Sequence, residues 1–198
     1  MSERPTGEHE IVAAVLDAAA RLFEHEDPGS VSLRRIATEA NVNYGLVHRH
    51  LGTKNDLVAA TIRRHSQRFL PSPAAEADPR ERLAEMIRHY LGEPTIARTL
   101  AWAAMNDIDP HTLVDDLGDV HALVDALVDV VGSSDRARLV FGFIASATLG
   151  ASLFQDTVLV AGGADPAAAG PQLADVVLEM LEVVLDAAPD LGTDGRNS

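Results

Sequence analysis

The residues best suited to meet a ligand by charge fall in one short stretch. Between Ser30 and Arg68 lie seven cationic side chains, Arg34, Arg35, Arg49, Lys54, Arg63, Arg64 and Arg68, against only Glu39 and Asp56, a net of +5. His48, His50 and His65 can add charge. The whole chain of 198 residues carries −14. A basic patch on an acidic chain implies one surface that meets an anion and a remainder that repels it.

Other chemistries lack their residues. There is no cysteine, which excludes disulfides, thiolate zinc sites and a cysteine nucleophile. His48 and His50 are two apart, on different faces of a helix, and His111 and His121 lack a convergent third ligand, so no metal is expected. No Ser-His-Asp spacing, P-loop or GxGxxG run is present, and Gly162-Gly163 to Gly170 has no Lys to hold phosphate. The acidic residues of the second half fall mostly on outer helix faces. The expectation is a non-enzyme without a cofactor.

The elements that must position the patch are helical. The chain is 46% hydrophobic and 4% aromatic, with Ala, Leu and Val dominant. Ile11, Val15, Ala18, Ala19 and Leu22 keep the helical period and predict a first helix that ends near His25–Gly29. Ser32 caps a second over Leu33–Ala40, Asn43 caps a third over Tyr44–Leu51, and Thr53 with Asp56 starts a fourth running to about Phe69. Prolines 71, 73 and 79 mark a linker over 71–79. Helices are then expected over 80–91, 95–106, from Leu113 to Val131 along the seam Leu113, Leu117, Val120, Val124, Leu127, Val131, over 135–160, and over 172–187 after a loop at 161–171. No strand pattern competes. The fold class is all-α: a unit of three helices with a connecting fourth at 1–70, a linker at 71–79, a helical domain at 80–188 and a flexible tail at 189–198. The N-terminus lacks an apolar signal core, so a cytoplasmic location is expected. Leu139–Gln155 is uncharged over 17 residues but carries Ser, Thr, Gln and small spacers, and reads as a buried helix rather than a membrane span.

Residues 32–50 have the logic of a helix-turn-helix. Ala37 and Ala40 are small where two helices approach, Ile36, Val42 and Val47 fill the space between them, and Asn41 suits a left-handed turn position. The third helix shows a polar, partly aromatic outer face of the kind that enters a major groove.

This stretch, with Val15-Leu16-Asp17-Ala18-Ala19-Ala20-Arg21-Leu22-Phe23 before it and His48-Arg49-His50-Leu51-Gly52-Thr53-Lys54-Asn55-Asp56-Leu57 after it, resembles the tetracycline-repressor (TetR) family of transcriptional regulators over about Ile11–Val58. The resemblance implies an N-terminal DNA-binding domain on a variable helical domain that holds a ligand pocket and a dimer interface. It implies a DNA surface of Ser32, Arg34, Arg35, Asn43, Tyr44, Gly45, His48, Arg49 and Lys54. Arg34 would read a guanine edge, while Ser32, His48 and Lys54 would meet phosphate. Arg35 reads equally as a solvated surface charge, and His50 as packing beneath the third helix. Asn43, Tyr44 and Leu46 depart from the usual Ser or Thr, Lys and Thr, so the resemblance yields no operator sequence.

Beyond residue 70 the resemblance is one of layout only. On the last helix Asp175, Glu179, Glu182 and Asp186 form a narrow polar stripe, leaving a wide apolar face. Gly142, Ser146 and Gly150 recur every four residues on the helix before it. These two helices read as a homodimer interface through Gly142, Ser146, Gly150, Val176, Val177, Met180 and Val184, making a four-helix bundle. Tyr90, Trp102, Met105, Asn106, Phe141 and Gln155 are candidates to bind a small, mostly apolar effector, and each reads as well as ordinary core. The chain therefore reads as a ligand-responsive regulator, a repressor that binds a palindromic duplex operator as a dimer. The rival is a helical small-molecule-binding or enzymatic bundle whose helix-turn-helix is vestigial.

Overall fold

The computed structural model describes residues 5–69, 78–114 and 118–187. Within them the chain forms ten helices and no strand. The contacts divide it into two compact units, Met1–Arg68 with Thr95–Leu117 and Phe69–Pro94 with Gly118–Ser198.

The first unit contains α1 (Glu8–His25), α2 (Leu33–Glu39), α3 (Tyr44–Leu51) and α4 (Lys54–Phe69), then α6 (Pro94–Met105) and α7 (Pro110–Val114). Its core draws Val15, Ala18, Ala19 and Phe23 from α1, Ile36 from α2, Val47 from α3, and Leu57, Val58 and Ile62 from α4. The caps are local and decide the boundaries. Ser32 Oγ accepts from Arg35 N at 3.2 Å and Asn43 Oδ1 from Gly45 N at 2.8 Å, where the sequence places them. Asp56 Oδ2 accepts from both the backbone N and the hydroxyl of Thr53, at 2.8 and 2.7 Å, and closes the start of α4. Between α3 and α4, Gly52 sits at φ +68°, and a Cβ there would lie 2.5 Å from Asp56 Oδ2.

Helices α6 and α7 carry this unit past the sequence boundary at residue 70. The Arg98 guanidinium donates to the carbonyls of Phe23 and Glu24 at 3.2 and 2.8 Å, satisfying orphan acceptors at the end of α1. Trp102 Nε1 lies 2.9 Å from where a Cβ on Gly29 would be. Arg63 donates to the Thr112 carbonyl.

The second unit contains α5 (Pro79–Gly92), α8 (Gly118–Val131), α9 (Ser134–Ala161) and α10 (Pro166–Ala187). Leu83 and Ile87 of α5, Leu123, Leu127 and Val131 of α8, Ala137 and Ile144 of α9, and Leu181 and Leu185 of α10 form its core. Arg80 of α5 pairs with Glu182 and Asp186 of α10.

Several expectations are corrected. Pro79 belongs to α5 as its first residue, with Asp78 as cap; linker residues 71–77 lie outside the described residues, as does the expected tail at 189–198. The helix expected from Leu113 to Val131 is described as α7 and α8 in different units, and Leu117 of its seam lies outside the described residues. Helix α10 begins at Pro166, six residues before Gln172. Asp165 Oδ1 accepts from Ala167 N at 3.2 Å, Pro166 supplies a pre-set φ, and Pro171 is accommodated inside the helix.

The uncharged run in α9 is not a buried helix. Ala137, Ile144, Thr148 and Ser152 make one buried face, while Leu139, Phe143, Phe154, Val158 and Val160 stand exposed, Leu139 by 75%. By length and composition this helix could cross a membrane; only 28% of its most apolar window is buried.

The α3–α4 junction gives a first test. Hydrogen bonds from Thr53 hold the Asp56 carboxyl below its ordinary value of 3.8. A depressed carboxylate stabilises the fold above its unfolded pKa and loses that contribution as pH falls through the folded one. Asp56→Ala should cost about 0.5–2 kcal/mol at neutral pH, and the difference from wild type should shrink below pH 3.8 in urea melts. Gly52→Ala should cost about 1–3 kcal/mol at any pH, through its backbone conformation.

Candidate nucleic-acid interface

Helices α2 and α3 meet across a tight turn. Asn41 takes φ +54°, the left-handed position expected of it. Val42 N donates to the Ala37 carbonyl at 3.0 Å and Asn41 N to the Thr38 carbonyl at 3.1 Å, closing the end of α2. Ile36 and Val47 are fully buried, so both helices turn one side inward. What remains outside is a continuous polar face. Ser32, Arg34, Arg35, Asn43, Tyr44, Gly45, His48 and Arg49 are all exposed.

The charges on this face are not equivalent. The Arg34 guanidinium lies 5.5 Å from the centre of the Tyr44 ring, a cation–π contact that joins α2 to α3. Arg35 is paired with Glu26 at 2.5 Å. Arg49 makes no ion pair among the described residues. His50 is half-buried, 3.6 Å from Glu8, in keeping with a packing role. Further from the face, Arg64 binds Asp17 at 2.7 Å and the Ala13 carbonyl at 2.9 Å. Lys54 is turned inward. Its ammonium donates to the Val31 carbonyl and lies 5.8 Å from the centre of the Phe23 ring. Burial pushes its pKa down, and Asp27 opposes that shift.

The six residues expected to line an effector pocket do not converge within one unit. Trp102, Met105 and Asn106 belong to the first unit with α6. Trp102 packs at Gly29, Met105 is 76% exposed, and the Asn106 amide donates to the Trp102 carbonyl at 2.8 Å. Tyr90, Phe141 and Gln155 belong to the second. The Tyr90 carbonyl accepts from Ser152, and Gln155 lines a cleft with Arg88, Asp156 and Pro171. Sequence spacing hid this because α6 packs with the helices before it.

The expected interface residues do gather on α9 and α10. Gly142 and Ser146 are exposed and Gly150 half-buried, with nothing within 4 Å of a Cβ built at either glycine. Val176, Val177, Met180 and Val184 line an apolar groove of about 300 Å³ with Ile87, Phe143 and Ile144.

Comparison with known proteins agrees with this geometry. The family described as "Bacterial regulatory proteins, tetR family" matches residues 15–61. The chain is 34% identical to the HTH-type transcriptional repressor Rv3405c of Mycobacterium tuberculosis over 161 residues, 81% of this chain and 82% of the relative. It is 34% identical over 79 residues to the HTH-type transcriptional regulator BetI of Rhizobium meliloti, covering 38% of this chain and 39% of that one. Among solved structures, Mycobacterium smegmatis BioQ superposes with a TM-score of 0.63 at 20% identity, over 88% of this chain and 97% of that one. Apo ActR of Streptomyces coelicolor gives 0.62 at 18%, over 96% and 99%. A capped helix-turn-helix with an exposed polar face, a second unit whose described elements are all helices and a relative of this coverage place the chain in the TetR family of DNA-binding transcriptional regulators.

Proposed function

We propose that the chain is a homodimeric repressor, acting in the cytoplasm, that reads a palindromic duplex operator and is released by a small, mostly apolar effector. The polar face of α2 and α3 carries this reading. Arg34 has the fork that suits a guanine edge, and Tyr44 holds it in place. Asn43, Tyr44 and Gly45 lead α3 into the groove. Ser32, His48 and Arg49 flank it at phosphate, and Arg35 can join them by exchanging Glu26 for a phosphate oxygen.

Dimerisation is supported by exposed apolar residues on two adjacent helices, with Phe143 at 61%, Met180 at 54% and Val183 at 58%. Faces of this kind mark association surfaces. The row Gly142, Ser146, Gly150 runs among the exposed hydrophobes of α9 and permits a close helix crossing. Two recognition helices set by such a bundle would meet successive major grooves, about 34–36 Å apart. An effector held in the second unit, near Tyr90, Phe141 and Gln155, would favour one spacing over another and so change operator affinity.

Selection of bound duplexes from a random pool, followed by titration, tests the reading. The wild type should enrich a palindrome. Binding to no duplex with any salt dependence would support the rival helical bundle instead. Arg34→Ala should lose about 1–3 kcal/mol at one base pair of each half-site and relax preference there. Uniform weakening across sequences would make Arg34 a phosphate contact.

A Cβ on Gly150 meets nothing within 4 Å in the protomer, so Gly150→Leu should leave the helical content intact and weaken dimerisation at least tenfold by light scattering. A monomeric wild type at micromolar concentration would sink the dimer. Apolar compounds that raise the melting temperature should also lower affinity for the selected duplex; stabilisation without that change would remove the proposed coupling.

A further inference from the structure

One cleft in the second unit carries charges that the protomer leaves unpaired. It lies between the end of α5, the late turns of α9 and the start of α10. Its volume is about 440 Å³, and Arg88, Leu91, Gln155, Asp156, Pro171 and Leu173 line it. Ser152 Oγ donates to the Tyr90 carbonyl at 2.9 Å and ties α9 to α5 within a turn of the lining residues. Gly92 and Gly170 complete the walls, and a Cβ built at either meets nothing within 4 Å. Packed helices set the walls and small residues keep the space between them open, as in a pre-formed small-molecule site.

Arg88 and Asp156 place one charge of each sign on this cleft, and both are exposed. Neither makes an ion pair, with the other or with any described residue. Arg80, about two turns earlier on α5, shows that an arginine of this helix can pair with α10, since it takes both Glu182 and Asp186. Asp175 and Glu179 line the groove on the other side of Arg88, yet Arg88 pairs with neither. The Gln155 amide, able to donate and accept, makes no hydrogen bond among the described residues.

The arrangement selects a ligand by charge. A carboxylate matches the planar fork of Arg88, and an ammonium matches Asp156. A ligand with only one of these groups meets a like charge in the same cleft. A net anion also meets Asp175, Glu179 and a chain at −14. A zwitterion avoids both penalties. Leu91, Leu173 and Ala174 offer it apolar flanks. The space is large for a single amino acid and suits two joined units.

We propose that this cleft binds a zwitterion of dipeptide size with apolar side chains, its carboxylate on Arg88 and its ammonium on Asp156. The inference deepens the effector reading, on which its regulatory meaning rests; the binding itself needs no DNA.

Calorimetry of the full chain with three probes tests it: leucyl-leucine, its N-acetyl derivative, which keeps only the carboxylate, and its C-terminal amide, which keeps only the ammonium. A hydrogen bond to a charged group is worth about tenfold or more in affinity, so leucyl-leucine should bind at least about tenfold tighter than either derivative. Arg88→Gln should weaken leucyl-leucine and the N-acetyl probe by about that factor and leave the amide as it was. Asp156→Asn should weaken leucyl-leucine and the amide and leave the N-acetyl probe as it was. Both side chains are exposed, so both variants should keep the wild-type helical content by circular dichroism. A merely structural loss would weaken all three probes alike. Equal affinity for the three probes, binding unchanged in both variants, or no binding of leucyl-leucine at millimolar concentration would each overturn the proposal. Leucyl-leucine that binds in this pattern and leaves affinity for the selected duplex unchanged would uphold the cleft and remove the effector reading.

Discussion

An eight-residue helix whose outer side must stay bare cannot hold itself, and the first unit is organised around that constraint. A helix as short as α3 is marginal in water. Val47 is the only residue of α3 that is fully buried. The remaining support comes from its ends. Asn43 closes the first turn, and Gly52 N donates to the His48 carbonyl and closes the last. Gly52 then hands the chain to the Thr53–Asp56 box, so the end of α3 and the start of α4 form one rigid corner. At the other side, Ile36 and the left-handed Asn41 fix α2 against α3. The polar face stays exposed because the caps and neighbouring helices do the holding.

The charge that DNA would meet is smaller than the sequence suggests. Much of the positive excess between residues 30 and 68 is already engaged inside the protein. These engagements differ in strength. Arg35 and Glu26 form an exposed pair, worth about 0–1 kcal/mol, which a phosphate can displace. Arg64 is mostly covered and binds both Asp17 and the Ala13 carbonyl, so it stays where it is. With the chain at −14, Arg34 and Arg49 are the arginines of this exposed face that make no ion pair among the described residues, and on the operator-binding reading only a close, oriented approach would bring them to a groove.

The parts legible in the sequence are those decided within four residues of themselves. Helices α2 and α3 begin where Ser32 and Asn43 place them, because a cap needs only its own side chain and the N–H groups just after it. The parts that were not legible are decided by distant packing. Nothing near Arg98 or Trp102 tells that α6 turns back to close the end of α1. Nothing near Lys54 shows that its ammonium faces Val31 instead of solvent. The Arg34–Tyr44 stack joins residues ten apart on separate helices, and only the crossing of α2 and α3 makes it possible. Pro166 and Pro171 read as a loop because prolines usually interrupt; here the first opens α10 and the second is absorbed by it.

Helix α9 inverts the usual sense of an amphipathic helix. Its buried side includes Thr148 and Ser152, whose hydroxyls donate to the carbonyls of Ile144 and Tyr90. Three of its large hydrophobes, Leu139, Phe143 and Phe154, face out. Covering a side chain of that size is worth about 1.5–3 kcal/mol, so an apolar face several residues long represents a free energy comparable to the stability of a small domain. The inward polar groups are satisfied within the protomer and ask nothing of a partner. The outward hydrophobes gain only when something covers them. On the dimer reading, the second unit folds on one side of α9 and assembles on the other, and its stability then depends on protomer concentration as well as on its own core.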